Sequence, residues 1–211
     1  MVNKSLLPRP PSLTLTKFDL ANFPVTETII MLTFLLEKIT IANDSIQQKQ
    51  TNYTRFHARS LPSIDINSYM LRILKYCPCA NECFLSLLVY FDRMSQNKQS
   101  PLRIDSYNIH RLIIAGIMVS SKFFSDVFYT NARYAKVGGL PVKELNGLEL
   151  EFLRINNYNI FIPLEQLQQY GDQLLMHTNR EREAQLKNKQ RLYMDTFHQQ
   201  QNQPCIMYHI G

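Results

Sequence analysis

Glycine is scarce and tryptophan is absent: 6 of 211 residues are Gly, and Trp does not occur. So few glycines argue against an all-β fold with many tight turns, and against a Gly-rich loop that cradles phosphate. Cysteine is limited to four residues. Met1 to Pro11 has no apolar h-region, so no secretory signal is expected. The thiols are therefore expected to be reduced and the chain to sit in the nucleus or cytoplasm. No run of about 18 apolar residues occurs, so no transmembrane helix is expected. Long runs of one charge are missing too. Lys and Arg outnumber Asp and Glu by 23 to 17, a formal charge of +6, but the basic residues are dispersed and read as a solvated surface. With 45% hydrophobic and 19% charged residues, the composition is that of a globular chain rather than a disordered one. At this length a single core needs neither metal nor disulfide to be stable.

What is present is helical periodicity. Residues 1–24 hold Pro8, Pro10, Pro11 and Pro24 without a pattern and read as a flexible lead-in. Thr26 is placed to cap a helix carrying Ile29, Leu32, Leu36 and Ile39. Residues 43–60 are polar and read as a loop. Ile66, Tyr69, Met70, Ile73 and Cys77 share one helical face, which Pro78 terminates. Asn81-Glu82 opens a helix whose body, Cys83 to Phe91, is apolar nearly all round. Asp105 or Ser106 caps a further helix, Ile109 to Phe124. Two such helices without a polar face must be buried on most sides. Ala115, Gly116, Ser120 and Ser121 in the second let neighbouring backbones come close, which marks a central helix. After an aromatic segment ending in Gly138-Gly139, Pro141 begins a helix with Leu145, Leu148, Phe152 and Ile155 on one stripe. Pro163 begins a shorter amphipathic helix, Leu164, Leu167, Tyr170 and Leu174. From Met176 the composition turns to Gln, Asn, Lys, Arg and Glu. The fold class is all-α. A single domain over 25–175 is expected, with a polar tail over 176–211, helical at first and then disordered.

Catalytic and metal-binding patterns are weak. Cys77, Cys79 and Cys83 form C-x-C-x3-C without a nearby fourth ligand, which is not zinc spacing. The five histidines make no H-x3-H pair, and His110 reads as a satisfied or surface side chain. Gly138-Gly139 reads as a helix end and turn rather than an anion nest, since no P-loop Lys-Ser/Thr follows. No G-x-S-x-G, H-R-D or D-F-G occurs. The chain therefore reads as a binding module and not an enzyme, with no cofactor and no metal. What stands out is charge embedded in apolar helices: Asp92-Arg93, Lys122, Asp126 and Glu149. A charge where a helix leaves the core either pairs internally or faces a partner.

Several stretches resemble the cyclin box. They are Asn81-Glu82 to Asp92-Arg93, Ser120-Ser121-Lys122-Phe123-Phe124-Ser125-Asp126, Tyr129-Thr130-Asn131, Tyr134-Ala135-Lys136-Val137-Gly138-Gly139, and Glu144-Leu145-Asn146 with Leu148-Glu149. They are most similar to the single-box cyclins of fungal phosphate signalling, related to plant U/P-type cyclins, over about residues 61–170. The resemblance implies a five-helix box around a buried central helix, with a flanking helix on each side. It implies no catalysis, but docking on a cyclin-dependent kinase whose αC helix it positions, so that the kinase's Lys–Glu ion pair closes. In that picture Lys122 and Glu149 reach the kinase helix, and Phe123, Phe124, Phe128 and Phe152 supply anchoring area. Asp126 would engage a kinase arginine otherwise reserved for a phosphate.

The sequence departs from the pattern at one structural pair. Two-box cyclins join an Arg in the first helix to the Asp that ends the second. Here the ungapped position opposite Asp92 is Ser63, and Arg72 is the nearest substitute for an Asp92–Arg72 pair. Nothing after Met176 resembles a second box. Two other readings compete: a nucleic-acid adaptor of the same helical fold, which would want tandem boxes and clustered Lys/Arg, and a scaffold that binds a kinase without activating it. The partner expected is a kinase in a heterodimer, with no small-molecule substrate, no membrane and no nucleic acid.

Overall fold

A computed structural model describes residues 17–46, 53–98 and 101–201, the side chains of 192–201 excepted. Seven helices make up the described chain, with no strand among the described residues: α1 (Val25–Asp44), α2 (Ile66–Tyr76), α3 (Asn81–Ser95), α4 (Ile109–Phe124), α5 (Asn131–Gly138), α6 (Val142–Ile155) and α7 (Leu164–Gln201). Their ends follow local chemistry. The Asp65 carboxylate accepts the Ser68 N–H at 2.8 Å and caps α2, and that bond holds its carboxyl below the usual carboxylate range. The Thr130 hydroxyl accepts the Arg133 N–H and caps α5. Gly139 closes α5 at φ 70°, a left-handed conformation that suits glycine. Asp105 accepts the N–H groups of Tyr107 and Asn108 and so caps the turn that leads into α4, one step before the helix proper.

α4 is the centre of the bundle. α2, α3, α5 and α6 all pack on it, while α1 lies on α2 and α3, and α7 on α3 and α1. From Leu112 to Ser121 every residue of α4 is buried. Gly116 sets the approach: a methyl group there would clash with Leu87 Cδ2 and meet the Phe152 ring at 3.1 Å. Ser120 donates to the Gly116 carbonyl at 2.7 Å and shares a 2.7 Å hydrogen bond with Ser86 of α3. The small polar residues of the seam are thus satisfied within it, as burial demands.

Several boundaries differ from the sequence reading. Thr26 is not the N-cap of α1. Pro24 is, its fixed φ already suiting the helix that starts at Val25. The lead-in is anchored from Phe18 onward. Phe18 is buried, its N–H donates to Asp172 at 2.7 Å, and its carbonyl accepts from Gln168. Residues 1–16 lie outside the described residues. Asp44 is not loop: it ends α1 and accepts two hydrogen bonds from Ser106. The short helix read after Pro163 is the beginning of a 38-residue helix. Its packing continues beyond residue 175, since Thr178 is buried and Lys38 pairs with Glu181 at 2.5 Å.

Candidate functional site

Lys122 stands in the last turn of α4, one residue after the buried Ser121. Glu149 comes from the middle of α6. The two meet at 2.6 Å, with 28% and 19% of their side chains exposed. Asn131, the first residue of α5, donates through Nδ2 to the other Glu149 oxygen at 2.8 Å and to Asn146 at 2.8 Å. Three helices are thereby pinned at one point on the rim. The pair is mostly shielded, so its mutual attraction is set against the cost of taking both charges largely out of water, and it is weak evidence of stability by itself. Its ammonium has three donors and spends one on Glu149, so two remain for an incoming acceptor.

The segment joining α4 to α5 frames that pair. Phe123 is 40% exposed, Val127 81% and Phe128 51%. Phe124 is half-buried and meets Phe123 edge-on at 5.0 Å. Tyr129 anchors the far end of the segment. The Arg133 guanidinium lies over its ring at 4.0 Å, and Tyr134 meets it at 6.2 Å. The tip between these anchors, Asp126 to Phe128, stands into solvent. An apolar tip beside a partly accessible ion pair has the layout of an interaction hot spot with polar surroundings.

Two of the residues assigned from the sequence lie elsewhere. Phe152 is fully buried, edge-on to Tyr90 at 5.6 Å and to Phe56 at 6.4 Å, and it cannot present area to a partner. The stripe it shares with Leu145, Leu148 and Ile155 is the core stripe of α6. The Asp92–Arg72 pair does not form. Arg72 donates to the Val137 carbonyl, and Asp92 accepts from Tyr170 at 2.5 Å. Burial, and after it that contact, pushes the Tyr170 hydroxyl up to about 12. Its neighbour Arg93 donates to the carbonyls of Asn159 at 2.7 Å and Phe161 at 3.1 Å, so the charges ending α3 fasten the α6–α7 connection.

The comparisons with known proteins decide the family. The family model described as Cyclin matches residues 25–160. The chain belongs to the cyclin family. Cyclins are regulatory subunits of protein kinases, in general without catalysis of their own. This cyclin is 47% identical over 170 residues to the PHO85 cyclin-like protein psl1 of Schizosaccharomyces pombe, covering 74% of this chain and 70% of that protein. It is 40% identical over 183 residues to PHO85 cyclin-7 of Saccharomyces cerevisiae, covering 76% and 64%. It is 45% identical over 132 residues to Cyclin-U4-1 of Arabidopsis thaliana, covering 61% and 65%. Fungal PHO85 cyclins and plant U-type cyclins are thus both among its relatives. The family match begins at Val25, where α1 begins, and so takes in α1.

Two features of this cyclin's rim escaped the sequence reading. Val127 is its most exposed apolar side chain, and Asn131 completes the shell around Glu149. A valine between Asp126 and Phe128 in a segment without periodicity was the available signal for the first. Nothing local signals the second, because Asn131 and Glu149 are 18 positions apart. Among the described residues no group of three His, Cys, Asp or Glu side chains could hold a metal ion. Cys77 and Cys83 are buried, and burial pushes the Cys77 thiol upward.

Proposed function

We propose that this cyclin binds a cyclin-dependent protein kinase of the kind its PHO85-cyclin relatives are named for, and activates it by positioning the kinase's αC helix. The observation that carries this reading is the rim itself: a Lys122–Glu149 pair, partly open to solvent, beside the exposed Phe123, Val127 and Phe128. Lys122 offers donors to carbonyls at a helix end, and Glu149 accepts N–H groups. The aromatic tip supplies desolvated area, with Phe124 half-buried behind it. Asp126, exposed at the same tip, meets a kinase arginine and replaces a phosphate as its counter-ion. The chain itself carries no catalysis. It works in the nucleus, the cytoplasm or both, which localisation of a tagged chain checks.

The deciding experiment is the double variant Lys122→Ala with Glu149→Ala. Its helical circular dichroism should match the parent chain, and stimulation of the partner kinase should be abolished. Full stimulation by a folded double variant overturns the assignment of these two residues.

A further inference from the structure

A second site lies on the opposite end of α4. A cavity of about 740 Å³ opens between residues 55–64, α2, the start of α4 and the turn from α5 to α6. Its size falls within the roughly 300–1,000 Å³ of small-molecule sites. Four arginines line it, Arg55, Arg59, Arg72 and Arg111, against one acidic residue, Glu144, although the Arg55 guanidinium reaches toward Gly147 on α6. Glu144 is already committed to Arg111 at 2.6 Å. Arg72 donates to the Val137 carbonyl, and a neutral oxygen does not cancel a cation. The Nε and Nη1 of Arg111 and the Nε of Arg72 are buried with no hydrogen-bond partner. Unmet donors of charged groups are costly, and a concave wall of low dielectric concentrates their field.

The geometry points to a small phosphorylated molecule, a phosphomonoester or short polyphosphate, as the occupant of this cavity. Guanidinium groups match phosphate oxygens in number, charge and shape. The charge is gathered in one concavity, whereas a nucleic-acid duplex is gripped by basic residues spread along its backbone. α5 connects the two sites. Its Gly138 lines the cavity, while its Asn131 donates to Glu149 at the rim. An occupant is thus held one short helix away from the kinase-facing pair.

Calorimetric titration of the full chain with inorganic phosphate, pyrophosphate and tripolyphosphate, at ionic strength matched with chloride, tests this without any kinase present. Its failure would leave the kinase reading standing. Saturable one-to-one binding that tightens along that series is expected. Each charge-assisted hydrogen bond is worth about 1.5–3 kcal/mol, so losing one should weaken tripolyphosphate about tenfold or more. Arg59→Gln, at an exposed position that the fold does not need, should show this loss. Arg72→Gln should show it as well if its circular dichroism is unchanged. Arg182→Gln, on α7 and away from the cavity, should bind like the parent chain. Equal weakening by Arg182→Gln would reduce the effect to net charge and overturn the site. Absence of saturable tripolyphosphate binding at millimolar concentration would also overturn it. A response to a phosphoserine peptide, with none to the free phosphates, would overturn the small-molecule occupant.

Discussion

The seam of α3, α4 and α6 and the rim after Lys122 are made of the same kinds of residue and are put to opposite uses. In the seam Phe152 is fully buried against Tyr90, and Ser86 and Ser120 satisfy one another. On the rim Phe123 and Phe128 are about half exposed, and Lys122 and Glu149 pair where solvent reaches them. The change takes place within one helical turn, between Ser121, which is buried, and Phe123. Residue type therefore does not separate core from surface here. What separates them is where α4 runs out of neighbours. While α2, α3, α5 and α6 surround it, polar atoms must be satisfied internally. Beyond them, the same helix presents charge and aromatic area to solvent.

The strongest test of that contrast exchanges a phenylalanine on each side. Phe152→Ala should cost about 3–5 kcal/mol, the usual range for a buried aromatic truncated to alanine, and urea denaturation would measure it. A loss under about 1 kcal/mol would mean that the seam is not tightly packed. Gly116→Ala comes next. The added methyl group must displace the end of the Leu87 side chain and press on the fully buried Phe152 ring. Overpacking of this kind costs about 1–3 kcal/mol. A stabilised variant would show that the close approach of α3 and α4 is not required.

The seam was legible because its signal is periodic. Apolar residues on all sides of α3 and α4, with Gly116 and the serines between them, are enough to infer a central helix. The Lys122–Glu149 encounter was legible only through resemblance, since the partners sit 27 positions apart. Phe152 went astray because both a core stripe and a binding surface want an aromatic there, and only the packing of Tyr90 and Phe56 settles which. Phe18 was hidden for the opposite reason. It and Phe23, which stacks on it at 4.5 Å, are the only aromatics of a proline-rich segment without periodicity, and its seat is the gap left by Gly171 on α7, where a methyl group would meet the ring at 2.8 Å. The basic cavity assembles from four separate stretches of chain, so dispersed arginines looked like ordinary surface.

On the rim side the expected effect on stability is small and the effect on binding is not. Val127→Ser with Phe128→Ala removes two exposed side chains, and stability should stay within about 0.5 kcal/mol of the parent. Kinase affinity should fall about tenfold or more, since central aromatic anchors cost at least 1–2 kcal/mol when truncated. Surface plasmon resonance against the partner kinase measures it. Unchanged affinity would move the contact away from the tip and leave Lys122 and Glu149 without their apolar surroundings.

The mildest test lies at the other end of α4. His110 is half-buried, edge-on to Tyr69 at 5.0 Å, with Nε2 2.8 Å from the Ile64 carbonyl. Burial lowers its pKa from 6.5, only partly opposed by the Ile64 carbonyl and by the charge of Asp65. Above 6.5 the imidazole is neutral in both the folded and the unfolded chain, and it adds no pH dependence. As pH falls through 6.5 the unfolded chain takes up a proton that the folded chain still refuses. Stability should therefore decline from there and level off below the lowered folded value. Thermal melts at about pH 7.5 and about pH 5.5 should show a drop in Tm for the parent chain that is smaller in His110→Gln. Equal slopes in the two proteins would place the acid sensitivity in another group and leave α4 as indifferent to protons at this end as it is in the seam.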